Sequence, residues 1–595
     1  MNINFLLAKK NVDIQFENIT YKVLDWKNIL KFKKKTILHG VSGTFGHSQL
    51  CAIIGCSGSG KSSLLNILSG YKPNGFNGTI LINKEFRDLN LFKKQSCYIM
   101  QEEQLYSQLT VKEAMLFAAQ LKFSTRTLDS NKLKLINDII NQLNFYDKYN
   151  TRTINLSGGE KRKLTIALEL LHNPSVMFFD EPTTGLDSVS ANQVLLILKK
   201  LSNSGRTIIC TIHQASSLQL KMFDILYVLS PSGYCIYHGY TSNLYNFLTN
   251  QNLYCPLYHN IADFIIEVSF GEYGDHAYDL MKNVDNGKSP KWMNSSCEEN
   301  ALSNKIIPDE RNEIKKRNRS IFIEIIILLK RFALITSREK FSVTRVMVHL
   351  LVSIVYGWIY YGIGNNALLI HDNLMLLFFS LMFIMFTASS TMIIHFPSEL
   401  HILSKEYFNQ WYALPTYYLS YTICDLPIQT LCTFLYCLFV YHFTGQPPEW
   451  LRFTYFNLMM LMVGLLSQAF GMFMGTIFTD LRFSTIFTSF FLMPWMMFGG
   501  VFIKISDTPL MFRWIFDISF MKHGMEAILH CVYGLNRPRL PCPEIFCYHT
   551  SPKKVLEELD MPINKYWYNL ATVTSIYLII KVLVYQTLKR KLFLH

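Results

Sequence analysis

Apolar positions follow two different patterns in the two halves of the chain. Up to about Val268, short apolar runs such as Leu50–Ile54 and Val176–Phe179 alternate with longer stretches of mixed polarity. Such alternation predicts buried strands between helices, that is, an α/β domain. Beyond about residue 340, the apolar stretches lengthen to about twenty residues, the length that crosses a bilayer. The pattern predicts a multidomain protein with an N-terminal α/β domain and a C-terminal, all-α, six-helix transmembrane domain.

Changes in composition mark the predicted boundaries. The α/β domain takes residues 1–284, and a polar linker rich in Lys, Asn, Ser and Glu takes residues 285–320. Residues 321–341 are apolar but interrupted by charges such as Glu324, which predicts an amphipathic connecting helix. Such a helix either lies at the membrane surface or packs on the α/β domain, and both interpretations stay open.

Six spans are predicted in the transmembrane domain, residues 342–595. They lie at about Val343–Tyr361, Leu374–Phe396, Tyr417–Tyr441, Phe453–Phe478, Ser484–Ile503 and Tyr566–Tyr585. An even number returns the C-terminus to the cytosol, in agreement with the basic run Lys589–Lys591. The segment Pro397–Pro415 is then intracellular and is expected to meet the α/β domain. Its charged residues are the predicted coupling surface: Glu399, Lys405 and Glu406.

The loop at about residues 505–565 is extracellular by this topology. Its part Phe512–Tyr533 is apolar enough for a re-entrant or interfacial helix. Cys542 and Cys547 lie in its polar part, and nearby cysteines outside the cell predict a disulfide, with Cys531 as a third candidate. The loop has no N-x-[ST] sequence, so we expect no N-glycosylation there.

A phosphate-binding loop follows the first strongly apolar run. The segment fits G-x-x-x-x-G-K-[ST] between a predicted strand and a predicted helix, the context in which main-chain N–H groups cradle phosphates. The sequence therefore predicts bound ATP and Mg²⁺, with Lys61 at the β and γ phosphates and Ser62 at the metal. Tyr21 lies upstream, either stacked on adenine or as an ordinary strand tyrosine. The predicted loop and first helical residue are Gly55, Cys56, Ser57, Gly58, Ser59, Gly60, Lys61, Ser62 and Ser63.

Polar residues with catalytic potential follow three other apolar runs. Asp180 and Glu181 end the run Val176–Phe179, and we expect Asp180 to hold Mg²⁺ and Glu181 to polarise the attacking water. His213 follows the run 207–212 and is expected to contact the γ-phosphate. Gln101 follows the run 97–100 and is expected to touch Mg²⁺ and the water.

A second anion-binding turn suggests a site shared between two chains. The turn Leu156, Ser157, Gly158, Gly159 and Glu160 begins a predicted helix, where N–H groups are free to bind an anion. One nucleotide does not need two phosphate cradles in one domain. We therefore expect this turn to contact a nucleotide held by another copy.

Charge and composition agree with a membrane protein. The 595 residues carry a formal charge of +14, are 50% hydrophobic and have a mean hydropathy of +0.16. The basic residues cluster beside apolar spans, which indicates the anionic inner face of a membrane and not nucleic acid. The thirteen cysteines are scattered and mostly fall in parts predicted to be cytosolic or membrane-embedded.

These segments together resemble the nucleotide-binding domain of ABC transporters. The matching motifs are Walker A (Gly55–Ser62), the Q-loop (Gln101), the signature (Leu156–Glu160), Walker B (Phe178–Glu181), the D-loop (Thr184–Asp187) and the switch histidine (His213). The resemblance implies an ATP hydrolase whose catalytic residues are Glu181, His213 and Gln101. It also places Asp187 with the signature at the partner's nucleotide.

Further stretches resemble the G subfamily, the White-type half transporters. The nucleotide domain comes first, and the similar stretches are Met100–Glu103, Leu109–Ala114, Tyr258–Phe264, Glu267–Val268 and Gly271–Asp275. The last three look most similar to the sterol and lipid exporting branch, although Ile261 replaces the usual proline. One phosphate loop and six spans are half of a transporter, so the resemblance implies a homodimer or heterodimer. It allows the external cysteines to pair within or between chains.

The resemblance also implies a substrate path at the dimer axis. The residues that match are Phe386 as an aromatic clamp and Met493, Met496, Val501 and Phe502 as the lining and upper plug. A Met- and Phe-lined path suits a flat amphipathic lipid, which predicts export of sterols or phospholipids, at the plasma membrane. The alternative is that these residues only face membrane lipids or pack between helices.

Three other functions are alternatives to lipid export. The same fold serves exporters of pigment precursors or xenobiotics, which share the mechanism. A regulatory, non-exporting half of a heterodimer is disfavoured by the intact Lys61, Glu181, His213 and Ser157–Gly159. A soluble ATPase acting on ribosomes or in DNA repair is disfavoured by the six spans.

Overall fold

The computed structural model describes residues 10–24, 34–102, 104–123, 129–293, 320–478, 480–503, 505–544, 547–561 and 565–594. The chain divides into two compact units. One contains the residues up to Ile327 together with Ser404–Ala413, and the other contains Leu328–Leu403 and Leu414–Leu594. Most of the predicted linker, residues 294–319, lies outside the described residues.

Ten strands in the described part of the first unit form two sheets. They are β1 (Ile14–Leu24), β2 (Lys34–Phe45), β3 (Leu50–Gly55), β4 (Phe76–Ile82), β5 (Glu85–Phe86), β6 (Ser96–Ile99), β7 (Val176–Phe179), β8 (Thr207–Ile212), β9 (Ile225–Leu229) and β10 (Cys235–Tyr240). One sheet has the order β2-β1-β4-β5 and the other β10-β9-β3-β8-β7-β6. In the second sheet, strands β9, β3, β8, β7 and β6 are parallel, so their carboxyl ends meet at one edge.

Helices connect these strands. They are α1 (Lys61–Ser69), α2 (Leu89–Gln95), α3 (Val111–Lys122), α4 (Asp129–Gln142), α5 (Gly158–Leu170), α6 (Ser188–Asn203), α7 (Ser217–Leu220), α8 (Leu244–Thr249), α9 (Ile261–Phe270) and α10 (Ala277–Asn283). Strands β3, β7, β8 and β9 are buried along their whole length, as the continuous apolar runs predict.

The second unit is helical. The remaining helices are α11 (Ile321–Arg338), α12 (Lys340–Ile359), α13 (Ile370–Phe408), α14 (Leu414–Phe443), α15 (Trp450–Ile477), α16 (Leu481–Met497), α17 (Arg513–Ile518), α18 (Phe520–Tyr533), α19 (Pro552–Glu558) and α20 (Tyr566–Leu594). Within the described residues, α12, α13, α14, α15 and α20 are each long and apolar enough to cross a membrane. The last residues of α13 belong to the first unit.

The fifth predicted span is shorter than the sequence suggests. Apolar residues continue to Ile503, but α16 ends at Met497 after 17 residues. Pro494 lies in its last turn, and Gly500 follows with a φ of 82°, a conformation that ends helices and favours glycine. Val501 and Phe502 therefore lie in a turn beyond the helix.

The predicted re-entrant stretch consists of two helices, α17 and α18. Every residue of α18 is buried, and α18 packs against α15 and α20. Arg452 from α15 donates to the main-chain carbonyls of Cys531, Gly534 and Leu535, at 3.1, 2.8 and 2.9 Å, and so caps the C-terminus of α18. Beyond α18, a disulfide joins Cys542 to Cys547, while the buried Cys531 is a free thiol.

Candidate nucleotide site

The phosphate-binding loop connects the buried strand β3 to helix α1. Gly60 has a φ of 97°, and a Cβ added there would lie 2.8 Å from a methyl carbon of Leu38, so this position needs glycine. Lys61 is 5% exposed, and its ammonium donates to the carbonyls of Gly55 and Cys56 at 2.8 Å each. Burial lowers the pKa of Lys61, while the negative charges of Glu181 and Asp180 act in the opposite direction. The loop thus holds a desolvated cation at its centre.

The N-terminus of α1 is open to a ligand. Its N-cap, Gly60, has no side chain to bond to the first-turn N–H groups, and a Cβ on Gly58 would meet nothing within 4 Å. Free N–H groups, the helix dipole and the Lys61 ammonium all favour an anion. The donor set and the open space of this loop fit the phosphates of a nucleotide.

Asp180 follows β7 at the carboxyl edge of the sheet and is surrounded by hydroxyl donors. Its Oδ1 accepts from Ser62 Oγ at 3.1 Å and from Thr211 Oγ1 at 2.7 Å, and its Oδ2 accepts from the hydroxyl of Tyr98 at 3.2 Å. Burial, and then the charge of Asp180, raise the pKa of Tyr98 well above its ordinary value, so Tyr98 stays a donor. Sequence patterns predicted Ser62 and Asp180 but missed Thr211 and Tyr98.

Glu181 is held at both its main chain and its carboxylate. Its Oε2 accepts from Gln101 Nε2 at 2.8 Å and from Thr184 Oγ1 at 3.1 Å, and its N–H donates to Thr211 Oγ1 at 2.9 Å. Its φ is 47°, an uncommon backbone conformation for a residue with a Cβ. The structure thus brings Gln101 and Glu181 together. His213 follows β8 at the same sheet edge, with an exposed ring.

Arg162 connects the segments that carry Gln101 and Glu181. This buried side chain donates to the carbonyls of Met100 and Gln101 at 2.8 Å each and to that of Glu181 at 3.3 Å. An arginine on a helix two residues beyond a glycine-rich turn gives no recognisable signal in one sequence. Its role depends on contacts between distant segments.

The signature turn begins helix α5. Ser157 and Glu160 form a capping box, in which the N–H of Ser157 donates to Glu160 Oε2 at 2.9 Å and the N–H of Glu160 donates to Ser157 Oγ at 3.3 Å. A Cβ on Gly159 would lie 2.9 Å from Ser190, so this glycine lets α5 approach α6 closely. Asp187 caps α6 through the N–H of Ser190 at 3.0 Å. Ser157, Gly158 and Asp187 are exposed, while Leu156 is buried.

Tyr21 lies in β1 and is only 8% exposed. Its hydroxyl accepts from Lys72 Nζ at 3.3 Å, and the Lys72 ammonium lies 5.5 Å from the centre of its ring. A ring that is this deeply buried and lies under a lysine ammonium is not free to stack on adenine. The structure favours the strand-tyrosine interpretation.

Comparison with known proteins identifies the family. A model described as "ABC transporter" matches residues 38–184, and one described as "ABC-2 type transporter" matches residues 323–533. The Rattus norvegicus "Broad substrate specificity ATP-binding cassette transporter ABCG2" is 29% identical over 560 residues, covering 88% of this chain and 84% of that protein. Two Arabidopsis thaliana proteins, "ABC transporter G family member 8" and "member 4", are each 28% identical and cover 93% of this chain, and 92% and 94% of their own lengths. This chain is a half transporter of the ABC transporter G subfamily.

As a G-subfamily half transporter, the chain is an integral membrane protein that couples ATP hydrolysis to the export of substrates. Half transporters of this subfamily dimerise. The matched cassette residues, 38–184, fall in the first unit, and Lys61, Gln101, Asp180 and His213 follow the ends of β3, β6, β7 and β8.

A short segment of the half transporter, Ser404–Ala413, packs within the first unit, which carries the nucleotide site. Of the predicted coupling residues, Lys405 donates to the carbonyl of Gln104 at 3.4 Å, and Glu406 accepts from the hydroxyl of Tyr412 at 2.7 Å. Glu399 belongs to the other unit and accepts from the hydroxyl of Tyr417 at 3.3 Å.

The sequence missed three further residues of this segment. Trp411 donates to Glu169 at 3.2 Å, and Glu169 also pairs with the buried Lys122 at 2.7 Å. Phe408 and Asn409 contact Tyr98. The residues predicted from the sequence are charged, whereas an aromatic ring and an amide make the contacts nearest to the site.

The five predicted path residues lie in different surroundings in the helical unit. Met493 and Phe502 are 61% and 57% exposed, whereas Phe386, Met496 and Val501 pack against the hydrophobic core. The ring of Phe502 contacts that of Phe378, with centroids 4.9 Å apart.

Replacing Arg162 with methionine is expected to destabilise the nucleotide unit. Three main-chain carbonyls in half-buried hydrogen bonds lose their cationic donor, which costs about 3 kcal/mol. The unfolding midpoint should fall by about 6 °C or more in a thermal scan of the purified half transporter. Lys163→Met is the matched control, because Lys163 is the next residue but donates to a surface amide, Gln193. Equal midpoints for the two variants would contradict the prediction.

Proposed function

We propose that two copies of this chain form an ATP-driven exporter of sterols or phospholipids at the plasma membrane, with the nucleotide-binding domains in the cytosol. Residues 1–284 serve as the nucleotide-binding domain and residues 342–595 as the transmembrane domain, joined by the linker 285–320 and the connecting helix 321–341. The basic run Lys589–Lys591, close to the end of α20, supports a cytosolic C-terminus.

Each nucleotide is bound by groups of two chains in this proposal. One chain contributes the loop of Gly55–Ser62, whose open helix N-terminus and Lys61 ammonium neutralise phosphate charge. The partner contributes the exposed Ser157 and Gly158 of its signature turn, with Asp187 beside them. Because the capping oxygen of Ser157 is anchored to the first turn of α5, the turn offers its N–H groups without rearrangement.

Ser62 and Asp180 fit the magnesium ion that accompanies ATP, since hard cations prefer oxygen donors and these two oxygens are already 3.1 Å apart. The ion, when bound, supplies positive charge that stabilises the phosphate oxygens. Glu181 accepts the proton of the attacking water. Gln101 orients Glu181 through its amide, and His213 contacts the γ-phosphate from the end of β8.

The proposal that the substrate is a lipid rests on an apolar strip on α16. Ile486, Phe490, Met493 and Met497 recur at helical spacing on one face and are 65%, 70%, 61% and 47% exposed. Phe502, 57% exposed, follows the helix. A surface of this kind offers van der Waals contact without hydrogen bonds, which suits a flat, mostly apolar molecule such as a sterol.

The second candidate is an exporter of many unrelated compounds. It is favoured by the rat relative, whose name states broad substrate specificity. Flexible methionines such as Met493, Met496 and Met497 adapt to ligands of different shapes, so the same strip is compatible with this function.

The test is ATP hydrolysis by the purified chain in lipid nanodiscs with and without cholesterol. We expect cholesterol to stimulate turnover. Replacing both Met493 and Phe502 with alanine should lower the stimulation about fivefold, because about 1 kcal/mol of apolar contact is lost. Turnover without cholesterol should be unchanged.

Leu578→Ala is the matched control, since Leu578 is an apolar residue of α20 that is 57% exposed and outside the predicted path. Stimulation by varied hydrophobic compounds but not by cholesterol would favour the second candidate. A folded dimer without any turnover would indicate that the natural partner is a different chain.

A further inference from the structure

Strand β6 is the edge strand of the larger sheet, and Asn409 occupies the place of a further strand beside it. The N–H of Tyr98 donates to Asn409 Oδ1 at 3.0 Å, and Asn409 Nδ2 donates to the carbonyl of Tyr98 at 3.1 Å. One carboxamide thus satisfies both main-chain groups that the edge strand leaves free at this residue. The position of Tyr98 depends directly on Asn409.

The ring of Tyr98 is held by the same segment. Its centroid lies 5.9 Å from that of the Phe408 ring, next to Asn409 in the chain. It also stacks on the ring of Tyr71, with centroids 5.3 Å apart. Phe408 also contacts Tyr71 at 5.1 Å, and the Lys93 ammonium lies 4.9 Å from the Phe408 ring. Main chain and side chain of Tyr98 are therefore both fixed by the segment Ser404–Ala413.

The other end of Tyr98 reaches the acidic residue of the nucleotide site. Its hydroxyl bonds to Asp180 Oδ2, while Ser62 and Thr211 bond to Oδ1. A carboxylate held at both oxygens has one orientation, and a carboxylate held at one oxygen is free to rotate. Partners of metal-binding carboxylates fix the direction in which the remaining lone pairs point.

We propose that Tyr98 is a positioning residue through which the segment Ser404–Ala413 sets the orientation of the Asp180 carboxylate, and with it the divalent-cation requirement of ATP hydrolysis. The proposal rests on the magnesium role proposed above for Asp180. It does not depend on which substrate is exported. Displacement of Asn409 moves Tyr98 away from Asp180. A movement of the segment therefore changes the orientation of the Asp180 carboxylate.

The test is the Mg²⁺ dependence of ATP hydrolysis by the full chain in nanodiscs. Tyr98→Phe keeps the ring and its packing and removes only the hydroxyl. The Mg²⁺ concentration that gives half-maximal turnover should rise about tenfold. Binding of a fluorescent ATP analogue in EDTA should be unchanged, because the phosphate loop is untouched.

Tyr71→Phe is the matched control. It removes a hydroxyl from the same aromatic cluster, but the described side-chain donors to Asp180 are Ser62, Tyr98 and Thr211. Its Mg²⁺ dependence should equal that of the unchanged chain. An equal shift in both variants, or no shift in Tyr98→Phe, would overturn the proposal.

A double-mutant cycle tests whether Asn409 acts through Tyr98. Asn409→Ala should raise the half-activating Mg²⁺ concentration in the unchanged chain and add nothing further in the Tyr98→Phe chain. Additive shifts would show that Asn409 acts by another route and would overturn this link. If Asn409→Ala does not assemble, Tyr98→Phe and its control decide the proposal. Asp180→Asn separates the two claims, because a normal Mg²⁺ dependence in that variant refutes the magnesium role of Asp180 itself.

Discussion

Replacing Glu181 with glutamine is expected to lower ATP turnover by about 100-fold or more, while ATP still binds. Removal of a general base typically costs this much. Glutamine keeps the length of the side chain and is still able to meet the amide of Gln101 and the hydroxyl of Thr184. The main-chain contacts of residue 181 to Thr211 and Arg162 do not depend on the side chain. Phosphate release and equilibrium binding of ATP, measured on the same preparation, check both halves of the prediction.

Glu102→Gln is the matched control for the loss of one negative charge near the site. Glu102 is exposed, lies next to Gln101 in the chain and bonds to Gln104. Its variant should hydrolyse ATP at the normal rate. A Glu181→Gln protein that retains more than about a tenth of normal turnover would mean that another group accepts the proton.

Mixing two inactive variants is expected to restore ATP hydrolysis if each site is shared between chains. Lys61→Ala removes the phosphate-binding cation, and Ser157→Asp puts a negative charge where the signature meets the partner's nucleotide. Each variant alone should lose about 100-fold or more in turnover. In a dimer with one chain of each kind, both defects fall in one site and leave the other intact. Purified mixed dimers should recover about half of the normal rate.

The reverse pairing gives the control. A chain with both substitutions, paired with an unchanged chain, has one defect in each shared site and should be inactive. If each site lay within one chain, the two results would be exchanged. Inactivity of both pairings would mean that two intact sites must act together.

Ser157→Asp is chosen because aspartate also caps helices well, so α5 should remain folded. Ser216→Asp provides a comparison, since Ser216 caps α7 in the same kind of capping box with Gln219. That variant should keep normal turnover.

Local sequence was sufficient wherever a function depends on a few consecutive residues. The loop Gly55–Ser62 needs glycine at particular backbone conformations, so its spacing is visible in the chain. The same holds for the turn Ser157–Gly159 at a helix N-terminus and for the paired acids after β7. Five of the six predicted spans coincide with described helices that are long and apolar enough to cross a membrane, and they were visible because span length is set by bilayer thickness. The fifth predicted span is the exception: α16 has 17 residues and ends at Met497, because apolarity continues past the proline and glycines that stop the helix.

Contacts between distant segments could not be predicted. Asn409 and Tyr98 are 311 residues apart in the chain, and neither belongs to a motif. The role of Arg162 likewise could not be predicted from the sequence, because its partners are main-chain carbonyls, which every residue has. Tyr21 had the right type for adenine stacking, yet its packing against Lys72 covers the ring.

The sequence by itself determined that this chain binds and hydrolyses ATP and crosses a membrane, because glycine geometry, paired carboxylates and apolar length are local properties. Tertiary structure alone decided how the site is held: which hydroxyls orient Asp180, which arginine joins the Gln101 and Glu181 segments, and which amide reaches the sheet edge. Those relations depend on how the chain folds back on itself, and hydrogen bonds to main-chain groups leave no mark on the sequence.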